Sequence, residues 1–146
     1  MTATGIPLRD LHLVWPDLWP LLEPAVKRTP DKPDVLARLI ARDAQLWAVY
    51  PSASLRAGDG RAPVAAIVTQ ITISDDQKRC RLWLIGGSRV REWVGDFLAK
   101  VEDWARSLEC VALWGSGREG WARIVNKLGG RSVGTVDGFP AWERRL

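Results

Sequence analysis

The clearest chemical signal in this 146-residue chain is a glycine-containing turn between an apolar segment and a helical one. Residues 82–93 read LWLIGGSRVREW, so Gly86 and Gly87 end the apolar segment and Arg89 and Arg91 begin the helical one. Backbone amides at a helix N-terminus attract anions, and glycines let a ligand come close to the backbone. The stretch is therefore either an anion-binding loop or a helix-capping turn between two buried elements.

Other candidate catalytic groups are sparse. His12 is the only histidine, which argues against Ser-His and Cys-His catalysis and against the common zinc sites. Cys80 and Cys110 are the only cysteines and lack a C-x-x-C spacing, so we expect reduced thiols, a cytoplasmic protein and no metal. Asp75 and Asp76 fit a solvated turn better than a general base. The residue types alone identify no catalytic residue.

Length and charge limit the domain organisation and the kinds of partner that the sequence allows. We expect residues 1–146 to form a single domain, because this length is typical of one. The sequence has no apolar run of about 18 residues, so we expect no membrane span, and its first residues lack the pattern of a signal peptide. The net charge of +4 is scattered, and the densest basic stretch, WERRL at 142–146, resembles a solvated edge. We therefore expect no nucleic-acid partner.

Hydrophobic spacing predicts a βαβ unit in the middle of the chain. Apolar residues repeat at helical spacing over residues 89–108, with Ser88 as a candidate N-cap. Strand-like segments at 80–85 and 110–114 flank this helix, and a βαβ crossover requires them to run parallel. Residues 64–85 show strand alternation around a polar turn, which predicts a β-hairpin.

Helices are predicted before this unit and strands after it. Residues 15–26 have one apolar helical face, but Pro20 and Pro24 would each cost about 3 kcal/mol in a helix interior, so we expect a short, kinked or interrupted helix. Asp34 is a candidate cap for a second helix over residues 34–45. The remaining predicted elements are a strand at 46–50, a loop at 51–63, a short helix at 121–128 and closing strands at 131–136 and 141–146. This order indicates a mixed α/β domain.

The order of elements resembles the GNAT acyltransferase fold over about residues 10–146. RCRLWLIGGSRVREW is similar to its fourth strand and third helix, and GREGWARIVNKLGG to the segment after its fifth strand. A closer resemblance is to small GNAT-like proteins encoded in phage and prophage genomes, through QLW at 45–47, E-x-W-A-R at 102–106 and G-R-x-G-W-x-R at 117–123. The resemblance implies a central mixed sheet of six to seven strands flanked by about four helices.

The same resemblance implies acetyl-CoA as the cofactor, with its pyrophosphate held by the loop after the fourth strand. The cofactor-binding residues implied in this way are Ile85, Gly86, Gly87, Ser88, Arg89 and Arg91. The family loop reads Gln/Arg-x-x-Gly-x-Gly/Ala, and this chain departs from it. Counted from Arg91, the glycine positions hold Val94 and Asp96, and counted from Arg89 they hold Glu92 and Val94. Asp96 would repel a phosphate.

A second departure concerns proton transfer. Many GNAT enzymes carry a tyrosine on the fourth helix that protonates the leaving thiolate, but here Val125 occupies that position and the only tyrosine is Tyr50. Water or CoA itself would have to supply the proton. Two functions follow: a CoA-dependent N-acyltransferase in which an unidentified amine attacks the thioester directly, or a non-catalytic GNAT-fold protein that serves as a phage or virion component or as a binding module.

The nine tryptophans and the closing stretch FPAWERRL, residues 139–146, suggest an aromatic patch or an exposed sheet edge. We therefore expect a second copy of the chain or another protein as a partner. Trp93, Trp104 and Trp121 have core spacing, and the sequence does not place most of the others. A phage-encoded protein of this kind would be found in the host cytoplasm or in the virion.

Overall fold

A computed structural model describes residues 1–51 and 62–146, and most of the predicted loop at 51–63 lies outside them. The elements are β1 (Thr2–Gly5), α1 (Leu11–Arg28), α2 (Val35–Ile40), β2 (Gln45–Tyr50), β3 (Ala65–Ser74), β4 (Gln77–Gly87), α3 (Val90–Ser107), β5 (Ala112–Ser116), α4 (Glu119–Lys127), β6 (Arg131–Val136) and β7 (Phe139–Arg145). The strands of this described part form a mixed sheet in the order β1-β2-β3-β4-β5-β7-β6. The predicted fold class, a mixed α/β domain of six to seven strands and about four helices, is confirmed.

The βαβ unit is formed as its spacing predicts. β4 and β5 run parallel, in register from Arg79↔Ala112 to Leu82↔Gly115, and α3 connects them. β4 continues from Trp83 to Gly87, beyond its last residue paired with β5. The end of β4 therefore leads into α3 from a segment that is outside this parallel ladder.

Helix α1 runs without interruption for 18 residues, so the expectation of a short or interrupted helix is wrong. Pro16, Pro20 and Pro24 all lie inside it on the exposed side. Each proline leaves the carbonyl four residues earlier without its helical N–H, and those residues are also exposed, so water can solvate the freed carbonyls. The buried side consists of Leu11, Val14, Leu18, Leu22 and Val26. Burial of this apolar side offsets the cost of the prolines.

Two further elements differ from the sequence prediction. α2 ends at Ile40 rather than at residue 45, although Asp34 caps it as expected by accepting the Ala37 N–H at 3.0 Å. The sequence pattern did not predict β1, which pairs antiparallel with β2 from Thr2↔Tyr50 onward. Asp75 and Asp76 form the β3–β4 turn with φ of 52° and 62°, as the interpretation of a solvated turn implied.

The closing strand does not form a sheet edge. β7 lies between β5 and β6, so the prediction that FPAWERRL forms an exposed edge is wrong, and the outer strand at that end is β6. None of the nine tryptophans is fully exposed: Trp47, Trp93 and Trp142 are buried and the other six are half-buried. Phe97 packs edge-to-face against both Trp47 and Trp93, with ring centroids 5.7 and 6.0 Å away. The tryptophans therefore contribute mainly to the interior.

The chain divides into two compact units. The first comprises Met1–Thr69 and Leu84–Val101, and the second comprises Gln70–Trp83 and Glu102–Leu146. Both cysteines belong to the second unit and are buried. Burial raises the pKa of the Cys80 thiol to about 12 and also raises the pKa of Cys110, so both stay protonated. Among the described residues, no helix is long and apolar enough to cross a membrane.

We predict that Pro20→Ala stabilises the protein. The alanine restores an N–H for the helical hydrogen bond on the exposed side of α1, where a proline costs up to about 3 kcal/mol, less the entropy that the proline removes from the unfolded chain. A gain of about 1–2 kcal/mol in the free energy of unfolding should appear in urea titrations. Pro30→Ala, just outside the helix, is the control and should give no gain. A loss of stability in Pro20→Ala would contradict this account of α1.

Candidate functional site

The predicted cofactor-binding residues, Ile85 to Arg91, span the end of β4, the turn that follows it and the first turn of α3. Two hydrogen bonds fix the backbone of the turn after β4: the Ser88 N–H donates to the Val64 carbonyl at 3.0 Å, and the Trp93 indole N–H donates to the Ser88 carbonyl at 2.8 Å. Because Trp93 is buried, its indole ties the turn to the core of the first unit. The residues of the turn itself, from Gly87 to Arg89, are exposed.

Packing accounts for both glycines of the turn. A Cβ atom on Gly86 would overlap the backbone carbonyl of Leu21 in α1. Gly87 has a φ of 121°, and a Cβ atom there would overlap the Val64 carbonyl. Only glycine permits these backbone approaches. The glycines are therefore explained by the fold, whether or not a ligand also approaches them.

Arg89 is held by a neighbour in the first turn of α3. Its guanidinium donates two hydrogen bonds to the Glu92 carboxylate, from Nε at 2.6 Å and from Nη2 at 2.8 Å. The hydrogen bond from Arg89 is the main cause that lowers the pKa of Glu92, so that carboxylate stays ionised. Arg89 also has a φ of 58°, a conformation that L-residues seldom adopt. The charge of Arg89 is thus largely balanced within the turn, and Glu92 is poorly suited to be a base.

Arg91 is the available cation of the turn. It lies in the first turn of α3, is exposed, and has no acidic partner within residues 1–51 and 62–146. The first amides of an α-helix lack helical acceptors, and they carry the positive end of the helix dipole. Arg91 and the start of α3 therefore make one exposed, positively charged surface.

Asp96, which the sequence suggested would repel a phosphate, is engaged elsewhere. Its Oδ2 accepts the Ala3 N–H at 2.9 Å and lies 3.1 Å from Lys100 Nζ, which also donates to the Ala3 carbonyl at 2.7 Å. Burial acts to raise the pKa of Asp96, but the bonds from Ala3 and Lys100 outweigh it and hold the pKa below its usual value. Lys100 compensates the charge of Asp96, and together they attach β1 to α3.

The position on α4 at which the resemblance to the GNAT family implies a proton-donating tyrosine holds Val125. Val125 is buried there and has no proton to give. Tyr50 ends β2 next to Val64, whose carbonyl holds Ser88, so strand pairing brings the only tyrosine to the same end of the sheet as the turn. Burial, followed by the Asp17 carboxylate, raises the pKa of Tyr50, which stays protonated at neutral pH. This placement could not be predicted from local sequence patterns, because it depends on strand order.

Comparison with solved structures identifies the fold as that of the GNAT acetyltransferases. Tetrahymena GCN5 superposes with a TM-score of 0.64 at 13% identity, over 92% of this chain and 86% of that protein. A GNAT-family acetyltransferase from Listeria monocytogenes superposes with a TM-score of 0.63 at 14% identity, over 99% and 94%. The PaiA N-acetyltransferase from Thermoplasma acidophilum, solved with coenzyme A, gives a TM-score of 0.62 at 12% identity over the whole of both chains. These likenesses establish a shared fold.

By sequence, no family model and no curated protein matches this chain. The shared fold is therefore shown by structural similarity, and the resemblance to phage-encoded proteins stays a prediction.

We predict that Gly86→Ala strongly destabilises the protein. The new methyl group would overlap the carbonyl of Leu21 in α1, and relief requires a backbone shift that costs several kcal/mol, about 2–4. Gly95→Ala is the matched control, because Gly95 is exposed in α3 with nothing within 4 Å of an added Cβ. That change should stabilise the helix by about 0.5–1 kcal/mol. Equal unfolding midpoints in urea for the two variants would contradict the backbone contact.

We predict a pH-dependent contribution from Asp96. Because folding lowers its pKa, its stabilisation is present above the unfolded pKa, about 3.9, and is lost as the pH falls through the folded pKa. Asp96→Asn should therefore cost up to about 1 kcal/mol at neutral pH, a small value because the ion pair is partly exposed, and less at about pH 2.5, below the unfolded pKa. Asp103→Asn, on the same helix and highly exposed, should change little. The same deficit for Asp96→Asn at both pH values would refute the linkage.

Proposed function

We propose that this protein is an N-acetyltransferase that uses acetyl-CoA, and that the start of α3 with Arg91 holds the pyrophosphate. The observation that supports this most is the GNAT acetyltransferase fold, shared over the whole chain with a protein solved with coenzyme A. An exposed cationic helix start lies at the end of β4, where the resemblance to the family implies phosphate binding.

The residues of the turn fit an anionic group. The exposed backbone from Gly87 to Arg89 leads directly into the N-terminus of an 18-residue helix, and this geometry attracts phosphates. Arg91 adds an exposed cation that no described carboxylate neutralises. Arg89 contributes less, because Glu92 already occupies its guanidinium. The positive charge of the site thus depends on Arg91 and the helix amides.

Acetyl-CoA would supply an acyl thioester, which an amine attacks directly. The chain itself would act mainly through positioning. Residues Trp83–Gly87 of β4 extend past the ladder with β5, so their backbone can offer N–H donors to the polarised carbonyl oxygen of the acyl group. Val125 cannot donate the proton that the leaving thiolate needs, so water or CoA itself would supply it.

The alternative is a GNAT-fold binding module, such as a phage or virion component, that has no cofactor. Three observations favour it: packing explains Gly86 and Gly87, Glu92 balances Arg89, and Val125 replaces the usual tyrosine. Binding of acetyl-CoA separates the two functions directly.

We predict that isothermal titration detects acetyl-CoA binding in the micromolar range, about −8 kcal/mol. Arg91→Ala should weaken binding by about 1.5–3 kcal/mol through loss of a charge-assisted contact, and Arg89→Ala should weaken it less. Arg38→Ala is the control for net charge, since Arg38 pairs with Asp43 outside the turn. Absence of heat with millimolar ligand would establish the binding-module alternative and reject the acetyltransferase proposal.

A further inference from the structure

The second unit carries an arginine-rich sheet face that the proposed acetyl transfer does not use. Strand register places its side chains in two rows across the sheet. One row runs Arg79–Ala112–Arg145, and the next runs Arg81–Trp114–Glu143–Arg131. We call these residues the arginine face. On the opposite face, β4, β5 and β7 carry the buried residues Cys80, Leu82, Leu113 and Trp142.

A single carboxylate organises three of the arginines. Glu143 Oε2 lies 3.5 Å from Arg79 Nε, and Glu143 Oε1 lies 3.3 Å from Arg131 Nη2 and 3.4 Å from Arg145 Nε. The Glu143 side chain is only 12% exposed, whereas Arg131 and Arg145 are 67% and 57% exposed. The carboxylate is thus enclosed, and the two outer guanidiniums keep much of their surface open to solvent.

Trp114 supplies a flat surface in the middle of the same face. Its indole N–H donates to Thr72 Oγ1 at 3.0 Å, which fixes the ring. The Arg81 guanidinium lies 4.9 Å from the ring centroid, as in a cation–π pair, and its Nη2 is 3.7 Å from Asp137 Oδ2. Trp114 is half-buried, and its indole with the stacked guanidinium forms a flat patch that a planar ring can contact at its exposed part.

The arginine face carries excess positive charge. Among the described residues, three arginines, Arg79, Arg131 and Arg145, share the single carboxylate of Glu143, which leaves two positive charges in this cluster. These arginines come from the RCR and WERR stretches and from β6, so the sequence shows them as scattered. Strand pairing brings them together on one face.

We propose that the arginine face binds single-stranded nucleic acid, with phosphates contacting Arg131 and Arg145 and a base stacking beside Trp114 and Arg81. Guanidinium forks suit phosphate oxygens, and stacking on aromatic rings tolerates any base. The carboxylates of an acidic peptide would satisfy the arginines, but those acidic side chains offer no planar ring to the indole. The combination of excess charge and a flat stacking surface therefore favours a nucleic acid.

The test is fluorescence anisotropy of a labelled single-stranded RNA of about ten nucleotides with the whole protein at low and at physiological salt. Arg131→Ala and Arg145→Ala should each weaken binding by about tenfold and make it less salt-dependent, because each phosphate contact releases counterions. Trp114→Leu should weaken it by about tenfold as well, and Trp114→Phe should restore most of the loss. Thermal melting should show that all four variants are folded.

Arg38→Ala and Arg42→Ala are the matched controls, since they remove the same charge from the first unit. They should leave RNA affinity within about twofold. Equal weakening by these controls would mean unspecific attraction to a basic protein and would overturn the proposal. Competition by polyglutamate as effective as that by unlabelled RNA, with no effect of Trp114→Leu, would indicate an acidic peptide and would also overturn it. Acetyl-CoA titration of Arg131→Ala and Arg145→Ala should match the unmodified protein, so this proposal and acetyl transfer can fail separately.

Discussion

Helix α1 meets the last residues of β4 backbone to backbone, at Leu21 and Gly86. Since no side chain larger than a hydrogen atom fits at Gly86, this contact determines how closely the end of β4 packs against α1. The bond from Ser88 to Val64 then directs the chain into α3, and the indole of Trp93 returns to Ser88 from inside the core. These contacts within the first unit therefore determine the position of the exposed start of α3.

Hydrophobic spacing along the chain predicted the elements in which that spacing is strongly periodic. Helix α3 and its flanking strands have strong periodicity, so their type and their parallel pairing followed from spacing. Helix α1 was predicted as too short, because proline costs are visible in the sequence whereas the burial that offsets them is tertiary. β1 was missed altogether: its four residues carry no pattern, and it is attached by Asp96 and Lys100, more than 90 residues away.

In the candidate sites, too, the sequence predicted the local features and missed those that depend on contacts between distant residues. The turn after β4 could be selected by its glycines, and the pairing of Arg89 with Glu92 follows from their spacing along a helix. The reason for the glycines could not be predicted, because Leu21 and Val64 are distant in sequence. The arginine face was beyond reach for the same reason, since WERRL resembles a solvated edge until the strand order places β7 inside the sheet.

The two buried cysteines allow local opening of the second unit to be measured by thiol labelling. A thiol reacts with alkylating reagents as its thiolate, and burial with a raised pKa makes Cys80 almost inert while its surroundings stay closed. Labelling therefore requires a transient local opening, and its rate measures the free energy of that opening. Both thiols belong to the second unit, and the described part of the first unit contains none. Thiol labelling therefore reports local opening of the second unit alone.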